Sequence, residues 1–247
     1  MMDVDDDLAT VIARSTGQLL LHIRSDEVLN EAELGRTGDA VAHHYLVGGL
    51  RAHRPNDAIR SEEGEVETAP TQSDRLWIID PLDGTREYSE GRADWAVHVA
   101  LTVRGEPTAA AVALPGLDIV LSTASPLLVP PLDGRLRIAV SRSRPPDVAR
   151  VVAAKLGGEI VPMGSAGYKA MAVVRGEVHA YIHAGGQYEW DSAAPVGVAL
   201  HAGLFAGALD GTVLPYGKLN PWSPELLVCR PEITSEILSA IAEFNEV

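Results

Sequence analysis

The sequence predicts an α/β protein whose N-terminal half is α+β, and three patterns carry that prediction. Two helical patterns come first, a run of strand patterns follows, and strand and helix patterns then alternate. The stretch 125–134, with Pro130-Pro131, reads as a connection, giving an N-terminal unit over 1–134 and a C-terminal unit over 135–247.

Within residues 3–23, Leu8, Val11, Ile12, Leu19, Leu20 and Ile23 fall near one helical face. A second helix is predicted over 39–52, with Val41, Tyr45, Leu46 and Leu50 inward. His43 and His44 are adjacent on it and face different directions, so they do not read as a shared ligand pair. The polar stretch 62–71 reads as a loop, and the apolar run 76–79 as a buried strand. Strands are predicted over 95–103, 108–114 and 117–123, separated by Arg104-Gly105-Glu106-Pro107 and Pro115-Gly116. Beyond the connection, strands at 136–141, 159–162 and 178–183 alternate with helices at 147–156, 167–175 and 191–202. A last amphipathic helix covers 234–244.

Composition narrows the function. A chain of 247 residues that is 46% hydrophobic builds a packed core. Its net charge of -14 argues against a nucleic-acid polymer as partner, since that needs a basic surface. A nucleotide-sized molecule remains open. One cysteine, Cys229, forms no internal disulfide and reads as a small core residue, which favours a reducing cytoplasm. The acidic start Met1-Met2-Asp3-Val4-Asp5-Asp6-Asp7 lacks the positive flank of a signal peptide, and no apolar run spans a bilayer, so no membrane partner is expected.

The chemistry concentrates in Asp80-Pro81-Leu82-Asp83-Gly84-Thr85, at the end of the apolar strand. A carboxylate at the mouth of a buried strand needs a compensating charge. Asp83, Glu62 and Glu63 crowd the same region with like charge, and magnesium answers that need through oxygen ligands. Pro81 fixes the turn, and the Leu82 carbonyl can then face the ion. The amides of Gly84 and Thr85 open a short helix towards phosphate oxygens, and the Thr85 hydroxyl can orient a water. Taken alone, the hexapeptide is also a turn followed by a capped helix. Asp191, in Trp190-Asp191-Ser192-Ala193-Ala194-Pro195, supplies a further carboxylate and by itself also reads as a helix N-cap. The stretch Gly164-Ser165-Ala166-Gly167-Tyr168-Lys169 joins a strand to a helix and suits a second anion, although a capped helix with a surface lysine explains it as well.

These motifs together resemble the inositol monophosphatase superfamily of lithium-sensitive magnesium phosphatases. The matching residues are Glu62-Glu63, the run from Trp77 to Thr85, and Glu189 to Pro195. With Gly164-Ser165 and Lys169, the pattern most resembles the CysQ-type 3′(2′),5′-bisphosphate nucleotidases. The resemblance implies a layered αβαβα sandwich, shared with the fructose-1,6-bisphosphatase fold, and a homodimer. It implies that Glu62, Asp80 and the Leu82 carbonyl hold one magnesium ion, and that Asp80, Asp83 and Asp191 hold a second. Asp39 would help hold a third, with Glu62 and Thr85 activating water, and with Ser165 and Lys169 on the uncleaved phosphate. The implied reaction is hydrolysis of the 3′-phosphate of 3′-phosphoadenosine 5′-phosphate to AMP, in service of sulfur assimilation. Inositol-specific relatives place a sugar-binding glutamate seven residues before the last metal aspartate, and Ala184 stands there in this chain.

Three other readings compete. Inositol monophosphate or fructose 1,6-bisphosphate would keep the chemistry and change the substrate. Haloacid-dehalogenase-type phosphatases separate their two aspartates by one residue, whereas two residues separate Asp80 from Asp83. A non-catalytic, metal-stabilised binding protein would have no need of both Glu62 and Thr85.

Overall fold

The computed structural model describes residues 4–25, 28–64, 73–131 and 134–245. Most of the expected 62–71 loop, and residues 132 and 133 of the expected connection, lie outside them. Two helices open the chain, α1 (Val4–Arg24) and α2 (Glu31–His53). A five-stranded sheet follows, in the order β1 (Ala58–Ser61), β2 (Arg75–Asp83), β3 (Ala96–Val103), β4 (Glu106–Leu114) and β5 (Ile119–Ser122), with the short helix α3 (Thr85–Ser89) after β2. Only β1 and β2 are parallel; the other pairs are antiparallel.

The second sheet runs β7-β6-β8-β10-β9. Its members are β6 (Arg137–Ser141), β7 (Glu159–Met163), β8 (Ala180–Tyr188), β9 (Phe205–Gly207) and β10 (Trp222–Cys229). Helices α4 (Asp147–Lys155), α5 (Ala166–Val174), α6 (Glu189–His201) and α7 (Thr234–Asn245) complete the chain.

Side-chain alternation along the strands sorts the core into three apolar layers. Trp77 and Ile79 of β2 pack with Ile12, Leu20, Leu46 and Leu50 of α1 and α2. Leu76 and Ile78 face the opposite way, towards Met171 and Val173 of α5 and Ala193 and Val196 of α6. On the far face of the second sheet, Ile182 and Leu227 meet Val148 and Val152 of α4 and Ile237 and Ile241 of α7. The order is therefore helix, sheet, helix, sheet, helix, as the resemblance implied. Cys229 is fully buried in the last layer, where burial pushes its thiol up to about 11. None of the described helices is long and apolar enough to cross a membrane.

Several elements differ from the sequence reading. Helix α2 starts at Glu31, because Asn30 accepts from the Glu33 amide at 3.0 Å while its own amide donates to Glu33 Oε2 at 3.1 Å. Two glycines, Gly35 and Gly38, hide this start in the sequence and let the helix lie close to Thr85 and Leu82. Tyr45 points outward, 45% exposed. Strands β1, β9 and β10 escape the periodicity, and β8 runs five residues past the predicted end at His183, through Gly185-Gly186, because β10 pairs with it to Tyr188.

Candidate active site

Strand β2 continues past Asp80 to Asp83, and a bulge explains how both carboxylates reach one place. Residues three apart on a regular strand point to opposite faces. Pro81 has no N–H for the ladder, and the register with β3 shifts between Asp80 and Asp83. Carboxylate oxygens of Asp80, Asp83 and Asp191 then lie within 4.8 Å of one another. Glu62 arrives from β1: its amide donates to the Ile79 carbonyl at 3.3 Å, and its carboxyl comes within hydrogen-bonding reach of Asp80 from the solvent edge.

This crowding shifts the proton affinities. Asp80 is 1% exposed, and burial with the charges of Glu62, Asp83 and Asp191 raises its pKa well above the usual carboxylate range. Glu62 rises to about 7, through burial and the charge of Asp191. Asp191 rises to about 6, through burial and the charge of Asp83. Asp191 is not the N-cap of α6 but its third residue. From there Oδ2 accepts from the Tyr188 amide at 2.7 Å.

Asp83 behaves differently. Burial opposes its charge, yet His98 and the α5 amides outweigh that and hold its pKa below the usual value. The Ala166 amide donates to Oδ1 at 3.1 Å, the Gly167 amide donates to Oδ2 at 2.6 Å, and His98 Nε2 lies 3.1 Å from Oδ2. His98 is fully buried on β3, opposite Asp80 in register, with Nδ1 3.0 Å from the Trp190 carbonyl. Burial disfavours its charged form, but the Asp83 carboxylate outweighs burial and raises its pKa. A Cβ at position 167 would lie 2.0 Å from His98 Nε2, so this approach requires glycine. The sequence reading missed His98. A lone histidine in an otherwise apolar strand beside an acidic strand end was the signal available.

After Asp83 the chain turns at Gly84, in the left-handed region with φ 90°, and enters α3. Thr85 Oγ1 lies 3.2 Å from both Asp39 Oδ1 and the Leu82 carbonyl. Asp39 sits across from the cluster on α2, and burial and the Glu63 charge raise its pKa to about 6. Gly84 approaches Ser165, whose Cβ would lie 3.0 Å from a Cβ placed on the glycine. Ser165 caps α5, with Oγ accepting from the Tyr168 amide at 3.0 Å. Lys169 is 4% exposed, not a surface lysine. Its ammonium donates to the Gly164 and Ser165 carbonyls, and burial lowers its pKa to about 8.

The donor set fits magnesium. Every available ligand atom is oxygen, which suits a hard cation. Four carboxylates converge, and His98 and the buried Lys169 bring positive charge to Asp83 and Asp191. The raised affinities of Asp80, Glu62 and Asp191 are the mark of negative charge that the protein itself leaves uncompensated.

Another buried acid lies two residues before Asp191. Glu189 is 1% exposed and pairs with Arg60 of β1 at 2.5 Å. It also accepts from the Gly217 and Lys218 amides, each at 3.0 Å.

The sequence pattern of the inositol monophosphatase family matches residues 5–243. The 3′-phosphoadenosine 5′-phosphate phosphatase of Mycobacterium bovis is 51% identical over 241 residues, covering 92% of this chain and 89% of that protein. The 3′(2′),5′-bisphosphate nucleotidase CysQ of Escherichia coli is 27% identical, over 85% of this chain and 94% of its own length. Among solved structures, inositol monophosphatase-II of Staphylococcus aureus superposes with a TM-score of 0.81 at 18% identity, over 94% of this chain and 93% of that one. CysQ of Bacteroides thetaiotaomicron gives 0.81 at 22% identity, over 93% and 99%. These two structures share the fold.

Proposed function

This chain belongs to the inositol monophosphatase family and is a phosphatase, and we propose that its reaction is magnesium-dependent removal of the 3′-phosphate from 3′-phosphoadenosine 5′-phosphate. The observation that carries the reading is the convergence of Asp80 and Asp83 from one sheet with Asp191 from the central helical layer. The 51% identical mycobacterial phosphatase points to the nucleotide, as does Ala184 at the position of the inositol-binding glutamate.

Asp80, with Glu62 and the Leu82 carbonyl, would hold one magnesium ion; Asp80, Asp83 and Asp191 would hold a second; and Asp39 would help hold a third. When bound, these ions supply charge neutralisation at the phosphate and the leaving oxygen. The residues do the remainder. The Thr85 hydroxyl, set between Asp39 and the Leu82 carbonyl, orients the attacking water. Glu62, with a proton affinity near neutrality, takes the proton of that water. The water oxygen bonds to phosphorus, the bond to the ribose 3′-oxygen breaks, and that oxygen is protonated from solvent. Gly84 and Thr85 at the start of α3 direct backbone amides at the phosphate. Ser165 and Lys169 lie on the side of the uncleaved phosphate, Lys169 acting through its charge while its hydrogen bonds shape the Gly164–Ser165 turn. We place the reaction in the cytoplasm, where it clears a by-product of sulfur assimilation.

The test is phosphate release with magnesium from 3′-phosphoadenosine 5′-phosphate, inositol 1-phosphate and fructose 1,6-bisphosphate under matched conditions. Preference for the nucleotide is expected, together with loss of activity across a lithium titration. Preference for either sugar phosphate would overturn the substrate. A Glu62→Gln variant is expected to lose about a hundredfold or more in kcat.

A further inference from the structure

We propose that Tyr188 and Trp222 form a stacking shelf for the base of the substrate, an inference that rests on the nucleotidase reading and names the side chains that select a nucleoside. Of the aromatic side chains among the described residues, only Tyr45, Tyr188 and Trp222 are exposed, and the last two are direct partners in the β8–β10 ladder. Tyr188 is 46% exposed and Trp222 is 47% exposed.

Their direction follows from the register. Leu226 and Val228 of β10 belong to the central layer, between the two sheets, and Trp222 shares their face by even spacing. Tyr188 pairs with Trp222 and so shares that face. By the parity of β8 alone Tyr188 would lie with Ile182, in the outer layer. A bulge at Gly185 and Gly186, with φ of 105° and 93°, supplies the extra residue that turns it inward. The re-aimed tyrosine is the residue whose amide holds Asp191. Its ring lies parallel to Trp190, with centroids 4.7 Å apart and planes 11° apart. Trp222 covers Gly186: its Nε1 would stand 2.7 Å from a Cβ there.

An apolar π-surface thus begins within three residues of a carboxylate that acts on phosphate. A third anion gains nothing from such a surface, and a polyol presents no π-face to it. A nucleobase does, and stacking on one aromatic side chain changes affinity roughly tenfold.

The experiment measures kcat/KM for adenosine 3′,5′-bisphosphate and for inositol 1-phosphate, and takes their ratio. Tyr188→Leu and Trp222→Leu are each expected to lower the ratio about tenfold. Trp222→Phe should keep it within about twofold, because a π-face remains. A second arm titrates AMP and follows tryptophan fluorescence: quenching is expected in the wild type and largely lost in Trp222→Phe. Ratios unmoved by both leucine variants, or a quench unchanged in Trp222→Phe, would overturn the shelf while a wild-type preference for the nucleotide kept the nucleotidase reading. A wild type that prefers inositol 1-phosphate would remove both together.

Discussion

Two acids two residues apart, the buried Glu189 and the half-buried Asp191, meet opposite fates. Glu189 receives an arginine and two backbone amides from the protein itself. Asp191 receives one amide and faces Asp83, Asp80 and Glu62. The first arrangement is finished within the fold and serves to tie β1, α6 and the 217–218 turn together. The second leaves charge that a cation from outside could neutralise. Burial alone therefore does not distinguish a structural acid from a functional one; the source of the compensating charge does.

That contrast can be broken by mutation, and the largest effect is expected at Asp80. Asp80→Asn should lower phosphate release by about a thousandfold, with circular dichroism unchanged. Its metal-free melting temperature should rise by a few degrees, since one of several crowded like charges is gone. A variant retaining a tenth of the activity would remove Asp80 from the site.

Glu189→Gln should act in the opposite sense. It strands Arg60, itself 7% exposed, and is expected to destabilise by about 3 kcal/mol in chemical denaturation. Magnesium should not restore this loss, because the pair lies outside the carboxylate group.

Magnesium itself sharpens the comparison. At a hundredfold excess over its dissociation constant it should stabilise the wild type by about 2.7 kcal/mol. The rise in melting temperature should disappear in Asp191→Asn and persist in Asp57→Asn.

The smallest effect is expected at Asp57, an acid that the fold also completes, but near the surface. Burial opposes its charge, but hydrogen bonds from the Arg75 guanidinium and the Trp77 indole outweigh it, so its pKa lies below the usual value. A depressed carboxylate lends stability above its unfolded value, about 4, and loses it as pH falls through the folded value. Asp57→Asn should therefore cost under about 1 kcal/mol at pH 7 and make acid unfolding less steep below pH 4. Identical acid titrations of the two proteins would contradict this.

Much of this was legible in the sequence. Helical periodicity located α1 and α7, and the strand–helix alternation located α4, α5 and α6. The order of layers came from the resemblance, and the coarse pattern agreed with it. The carboxylates were readable because they are clustered in sequence at Asp80 and Asp83, with Asp191 beside a tryptophan. What escaped is what depends on partners distant in the chain. β1 and β10 are strands because β2 and β8 pair with them, and their own residues carry little alternation. His98 matters because a bulge turns Asp83 towards it. The competing reading of Lys169 as a surface lysine arose because nothing local shows that its ammonium folds back beneath the α5 turn. The N-cap reading of Asp191 failed by three residues, because Tyr188 at the end of a long strand starts the helix.

The lone thiol offers a different use of the fold. Cys229 lies at the end of β10 beneath α7, 3.3 Å from Thr234 Oγ1, with no access to solvent and with its thiolate disfavoured. An alkylating reagent can reach it only after the third layer has parted. The rate at which the native protein takes up such a reagent is thus a clock for that opening. It requires no introduced label and is written by the only sulfhydryl in the chain.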